Sequence, residues 1–151
     1  RRFEAEHAAI LDASDKARYE KKIQRAYYNA KRYFDRAVEC DNRLTEAYSA
    51  RGLALRKMGQ LDASLESYGA ALALAPNDAD SLLGLAETHL ALNRFDDVKA
   101  SYIQLSANHP EAASDLLVSM QAWARDNAGD RTSDAARAFA DWVRGGARIS
   151  Q

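Results

Sequence analysis

The sequence contains few of the residues that staple a fold together or interrupt it. Its 151 residues include one cysteine, two prolines and seven glycines. A single thiol, Cys40, excludes an internal disulfide and a cysteine-based zinc site, and it favours a reducing, intracellular setting. The few prolines and glycines therefore mark genuine breaks between elements of secondary structure.

Long apolar runs are also missing. No stretch approaches the roughly 18 consecutive apolar residues of a membrane span, and the N-terminus lacks the apolar core of a signal peptide. We expect a cytoplasmic protein with no membrane span. Because Arg1 is not an initiator methionine, we also expect a fragment or processed form, and segments upstream of it stay an open question.

Residues that favour β-strands are scarce, with four Val, four Ile and three Thr against 31 Ala and 16 Leu. Ala and Leu lose little rotamer freedom in a helix, whereas β-branched side chains are enriched in strands. The composition therefore predicts an all-α protein. Its 47% hydrophobic content and net charge of -1 argue against disorder.

The two prolines, Pro76 and Pro110, stand 34 residues apart. The same shift pairs Tyr68 with Tyr102, and elsewhere it mostly pairs large residues with large ones and small residues with small ones. Self-similarity at a fixed period is typical of repeat proteins. The period divides the middle of the chain into two units, 45–78 and 79–112.

The first unit resembles the tetratricopeptide repeat (TPR), a 34-residue pair of antiparallel helices, at Tyr48, Gly52, Leu55, Gly59, Leu61, Ser64, Tyr68, Ala71 and Pro76. The second unit departs from the family pattern at His89, Asn93, Val98 and Leu105 but keeps its length. The resemblance extends with fewer matches over 27–44 and 113–143. It implies a right-handed superhelical solenoid of stacked antiparallel helix hairpins.

The side chains are consistent with such hairpins. Gly52 and Ala71 are small where two helices must approach, and Tyr68 fills the space beside them. Gly59 and Asn93 fall in the turns, where both residue types tolerate a left-handed conformation. A hairpin of this kind cannot bury its apolar face alone, so neighbours must stack.

We expect one domain over 1–151, with a partial repeat in 1–44, clear repeats in 45–78 and 79–112, and a divergent repeat or cap in 113–146. Between Lys16 and Asp41 no breaker interrupts the helical spacing, so one long helix of roughly 26 residues is the preferred interpretation. A shorter helix is expected over Phe3–Leu11, before Ser14.

The C-terminal unit has its own punctuation. Leu116, Met120 and Trp123 share one helical face, and a turn is expected over 127–130. Ser133 is positioned to cap a last helix that ends near Gly145 and Gly146. The apolar anchors of this last helix are Phe139 and Trp142. Trp123 is expected to pack in the same core.

No constellation of acid, base and nucleophile is present, and no glycine-rich phosphate loop, so we predict no catalytic site, metal or cofactor. The histidines lack metal-ligand spacing and are expected to be structural or solvated: His7, His89 and His109. Cys40 aligns with Leu74, which predicts a small buried side chain there.

Charge is concentrated between Lys16 and Arg36, where eight basic and two acidic side chains give a net charge of +6. Four tyrosines are interleaved with them. Binding of RNA or an anionic surface is one interpretation. The favoured interpretation is a solvated helix face whose tyrosines lie in the core, and nucleic acid is not the expected partner. Docking of an acidic partner is a third possibility.

The resemblance implies a concave groove that holds a peptide or amphipathic helix of a partner protein and no small-molecule substrate. The matching inward positions are Glu46, Ser49, Leu53, Arg56, Lys57, Asp80, Leu83, Gly84, Glu87, Leu90, Ser114, Leu117, Gln121 and Arg125. Some family members clamp a C-terminal carboxylate with basic side chains. The matching positions here supply no such cations, so chaperone-type acidic tails are not expected to bind.

Two functions remain open at this point. The first is a non-enzymatic adaptor or scaffold, for which charge reversal at Arg56 and Lys57 is expected to abolish partner capture without unfolding the protein. The second is a structural subunit of a larger assembly that self-associates through its terminal helices, near Tyr27 and Trp142.

Overall fold

The computed structural model describes residues 2–127 and 133–147, with side chains from residue 13 onward. Over those residues the chain forms seven helices and no strand: α1 (Arg2–Cys40), α2 (Thr45–Lys57), α3 (Leu61–Leu74), α4 (Ala79–Ala91), α5 (Phe95–Asn108), α6 (Pro110–Asp126) and α7 (Asp134–Arg144). The all-α prediction is confirmed. None of the described helices combines the length and the hydropathy that crossing a membrane requires.

The two central hairpins, α2–α3 and α4–α5, turn at the predicted residues. Gly59 has φ of 77° and Asn93 has φ of 57°. Both lie in the left-handed region, which Gly enters without a Cβ clash and Asn tolerates better than most residues. Each hairpin packs against the next along the chain, so the helices stack as a solenoid.

Buried hydroxyl groups tie the stacked helices together. The Ser64 hydroxyl donates to the Gly52 carbonyl oxygen at 2.8 Å. The Thr88 hydroxyl donates to the Gly84 carbonyl oxygen at 2.7 Å. The two hydroxyl oxygens are 3.4 Å apart. Because each buried oxygen has a partner, these small polar residues allow close helix approach without an unsatisfied group.

The junction between α5 and α6 is a single residue, His109. Pro110 is the first residue of α6, where its missing N–H leaves no bond unmade. The His109 Nε2 donates to the carbonyl oxygen of Asn77 at 2.8 Å, in the junction one repeat earlier. The two period-marking junctions are therefore bonded to each other, which gives His109 the structural role expected.

The C-terminal helices close the core with aromatic residues. Phe95 stacks on Phe139 with ring centroids 4.6 Å apart, and Trp123 meets both rings edge-on. Trp142 packs against the same cluster. The Ser133 hydroxyl accepts from the Ala136 N–H, as the sequence predicts for the cap of α7. The expected turn over 127–130 lies mostly outside the described residues.

Helix α1 is longer than predicted. It runs without a break from Arg2 to Cys40, about 58 Å, so the separate helix over Phe3–Leu11 was wrong. Ser14 is neither proline nor glycine, and a serine does not by itself terminate a helix. Among the helices α1 packs principally on α2, and the side chains of 13–26 are all exposed.

Two predictions about α1 side chains were wrong. Cys40 is exposed at the end of the helix, as is Leu74, the residue with which it aligns. Of the four tyrosines, only Tyr27 is half-buried against the solenoid, and Tyr19, Tyr28 and Tyr33 are exposed. Helical spacing marks a face, but a face is buried only where a neighbouring helix covers it.

Candidate functional site

An open cleft of about 420 Å³ lies between α2 and α4. Its lining includes eight of the fourteen residues that the sequence assigned to a groove: Glu46, Ser49, Leu53, Arg56, Asp80, Leu83, Gly84 and Glu87. Three further lining residues were missed: Ala50, Tyr68 and Asp78. Asp78 could have been found from its place just before α4, where its carboxylate accepts the Ser81 N–H at 2.9 Å.

Tyr68, from α3, forms the floor of the cleft. Its ring passes beside Gly52 and Gly84, where an added Cβ would lie 3.0 Å and 2.2 Å from ring carbons. The two glycines therefore make room for the ring between α2 and α4. This contact explains why the repeat pattern has an aromatic residue, Tyr68, opposite the small residues Gly52 and Gly84.

One wall of the cleft is an ion pair. Arg56 Nη2 lies 2.6 Å from Glu87 Oε2, with both side chains mostly buried. The Ser119 hydroxyl donates to Glu87 Oε1 at 3.0 Å. Burial raises the pKa of Tyr68, and Arg56 offsets part of that rise.

This arrangement changes the expected effect of reversing the charge at Arg56. A glutamate at that position would face Glu87 across a partly buried contact, and breaking such a pair destabilises a fold. Arg56 is therefore part of the frame of the cleft, and its reversal cannot serve as a neutral test of binding. Lys57 is exposed outside the lining, at the end of α2.

The cleft is acidic. Four carboxylates, Glu46, Asp78, Asp80 and Glu87, stand against the one cation Arg56, a net charge of -3. Asp78 and Glu87 already hold the bonds described above. Glu46 and Asp80 are exposed and form no ion pair within the described residues. A cationic group of a ligand would therefore meet uncompensated negative charge here.

An apolar strip also lines the cleft. Leu53 is 43% exposed, Leu83 is half-buried, and Ala50 and Gly84 complete the surface between them. An apolar strip bordered by charge accommodates one face of an amphipathic segment.

The remaining predicted groove residues lie elsewhere. Leu90 is only 6% exposed and belongs to the core with Leu82 and Ala86, so it offers no surface to a partner. It shares their side of α4, because residues four apart lie one above another. Leu117 also packs against the core. Three others are exposed on α6, outside the lining of this cleft: Ser114, Gln121 and Arg125.

The tetratricopeptide repeat family matches residues 55–120. These residues run from the last turn of α2 into α6 and include the α4 side of the cleft. No curated protein matches the chain.

Proposed function

We propose that the α2–α4 cleft binds a segment of a partner protein, because residues 55–120, which include the α4 side of the cleft, match the tetratricopeptide repeat family. Tetratricopeptide repeats generally mediate protein–protein interaction. The proposed role is that of a non-enzymatic scaffold or adaptor, and the proposed ligand is an amphipathic segment with basic side chains.

The observation that carries the proposal is the apolar strip at Leu53 and Leu83, with the exposed carboxylates Glu46 and Asp80 in the first turns of the same two helices. Apolar side chains of a bound segment would cover the two leucines, and flanking lysine or arginine side chains would approach the carboxylates. Complementary charge raises the association rate and selects among partners more than it adds affinity. The strip would supply most of the affinity, because buried apolar anchors dominate binding energies.

Selection from phage-displayed random 15-residue peptides tests this proposal and does not require the partner to be identified first. We expect retained peptides to combine leucine-type residues at helical spacing with Lys or Arg. Leu53→Ser should lower their retention at least about tenfold, the effect of losing roughly 1.4 kcal/mol.

The matched control is Ile103→Ser on α5, since Ile103 is 45% exposed and Leu53 is 43% exposed. Ile103 does not line the cleft. The substitution Ile103→Ser removes the same kind of side chain outside the cleft and should leave peptide retention unchanged. Selection that yields no enriched peptides, or peptides equally sensitive to both substitutions, would overturn the proposal.

A further inference from the structure

We propose that the occupant of the α2–α4 cleft is the exposed N-terminal part of α1 from a second copy of the chain. This inference rests on the proposed function and names the partner. It joins two surfaces of the same molecule, an acidic cleft and a basic amphipathic helix, that carry complementary features.

The first surface is the stripe formed by Lys16, Tyr19, Lys22 and Ile23 on α1. At 100° per residue these four side chains occupy one third of the helix circumference. All four are exposed, with Tyr19 at 69% and Ile23 at 45%. Two large apolar side chains four residues apart, bordered by two ammonium groups, form a compact binding face.

The stripe continues the face by which α1 packs on its own solenoid. Further along the helix the same side presents Tyr27, Ala30 and Phe34, which are half-buried. The Gln24 side chain donates to the carbonyl oxygen of Lys57, the last residue of α2. Since α2 ends there, it leaves Tyr19 and Ile23 uncovered within the described residues.

The second surface is the cleft, and its features correspond to those of the stripe. Leu53 and Leu83 would receive Tyr19 and Ile23, which bury apolar area on both sides. The exposed carboxylates Glu46 and Asp80 would receive Lys16 and Lys22. The cleft carries a net charge of -3 and residues 16–36 carry +6, so the approach of the two surfaces is electrostatically favourable.

The cleft that receives the stripe belongs to another copy, because α1 is one continuous helix. Its packed part is fixed to α2 by Asp35, which accepts from Arg51 Nε at 2.6 Å. The exposed part therefore extends past the end of α2 and cannot fold back into the cleft of its own chain. Two different surfaces meet, so the contact is heterologous and leads to a ring or an open series of copies.

The basic side chains on the other side of α1 do not take part. Lys21 and Arg25 lie roughly opposite Ile23 on the helix. They are exposed and provide a matched control: reversing them changes the net charge as much as reversing Lys16 and Lys22, on the same segment, but leaves the stripe intact.

Light scattering after size exclusion measures the prediction directly. At 50 mM NaCl and protein concentrations from about 5 to 500 μM, we expect the wild-type mass to rise above 16.7 kDa. At 0.5 M NaCl it should return towards the monomer, because salt screens exposed charges. The double substitution K16E/K22E, and separately E46K/D80K, should each shift the midpoint of association at least tenfold.

A charge exchange distinguishes the proposed contact from general charge repulsion. A 1:1 mixture of the K16E/K22E and E46K/D80K proteins should associate, because a basic helix again meets an acidic cleft. The control K21E/R25E should associate as the wild type does. Circular dichroism of each variant establishes that the helices are retained.

Three results would overturn this inference: a wild-type mass of one chain throughout the concentration range, association that survives E46K/D80K, or equal loss in K21E/R25E. If the wild type stays monomeric while selected peptides still depend on Leu53, the second-copy inference fails and the proposed function stands. If Leu53→Ser affects neither peptide retention nor association, both fail.

Discussion

A methyl group on Gly84 would lie 2.2 Å from Cζ of Tyr68. The ring is buried beneath the cleft. The identity of residue 84 is therefore set by an aromatic residue sixteen positions away, in the neighbouring hairpin. Because the same pair forms the floor of the cleft, its packing links the stability of the repeat stack to the shape of the proposed binding surface.

Gly84→Ala should destabilise the protein by about 1–3 kcal/mol, the usual range for overpacking a core. The gain in helix propensity, up to about 1 kcal/mol, offsets part of this loss. Thermal or urea unfolding followed by circular dichroism measures the difference. Gly69→Ala is the control, since an added Cβ there meets nothing within 4 Å and should stabilise α3. Equal effects at both glycines would contradict the packing described here.

His89→Leu should stabilise the fold at neutral pH by about 1 kcal/mol, because His89 Nδ1 is buried without a hydrogen bond. The aligned position of the first repeat is the buried Leu55. Urea unfolding of both proteins at pH 7.5 gives the comparison. A less stable leucine variant would show that His89 has an essential polar contact.

The advantage of His89→Leu should grow as the pH falls. Burial lowers the pKa of His89 below its ordinary 6.5, Asp97 opposes that effect, and Arg94 adds to it. The unfolded chain therefore takes up the proton first, and the wild type loses stability as the pH decreases through about 6.5. Unfolding curves at pH 7.5 and 5.5 should diverge for the two proteins, and a pH-independent difference would contradict the assignment.

Asp35→Asn should loosen α1 from the solenoid. Burial raises the pKa of Asp35. Hydrogen bonds from Lys31 and Arg51 lower it by more than burial raises it, so the net pKa is below the ordinary value. Arg51 also donates to Ser67 on α3, so Asp35 anchors a link across three helices. Loss of the charge should weaken this docking by about 1–2 kcal/mol.

Amide hydrogen exchange reports on that change locally. Exchange should accelerate over residues 24–40 and change little in α4 and α5, because distant helices open independently. Glu39→Gln, an exposed carboxylate on the same helix, is the control and should leave exchange as in the wild type. Uniform acceleration throughout the chain would contradict a local anchor.

Peptides that end in a chaperone-type acidic tail should not bind. The cleft that would receive them already carries three negative charges in excess, and Arg56, its one cation, is paired with Glu87. Like charges at close range disfavour association. Calorimetric titration of such a peptide should give no measurable heat, and micromolar affinity would refute the prediction.

The repeat could be predicted from the sequence because the residues that end its helices act locally. Gly59, Asn93 and Ser133 act through the backbone conformation or bonds of their own turn or cap, and a local sequence pattern indicates such features well. The size alternation around Gly52 and Tyr68 likewise follows from the helical period. The resemblance to the tetratricopeptide repeat, rather than these local features, implied eight of the eleven residues that line the cleft.

What the sequence did not show depends on which neighbour covers which face. Arg56 was assigned to a free surface because its partner Glu87 lies on another helix, 31 positions away. Leu90 was assigned to the groove, although its face of α4 belongs to the core. Tyr19 and Tyr33 were placed in the core because their spacing is helical, but no described helix covers them.

Only one residue, His109, connects the second hairpin to α6. Its imidazole also donates a hydrogen bond to the Asn77 carbonyl oxygen, which links this junction to the preceding one. A hinge needs backbone that can absorb large φ/ψ changes, and this joint has almost none. The position of α6 against the second hairpin is therefore fixed at this point. A partner segment must match an existing surface and loses little free energy to reshaping it, which favours discrimination by shape over adaptability.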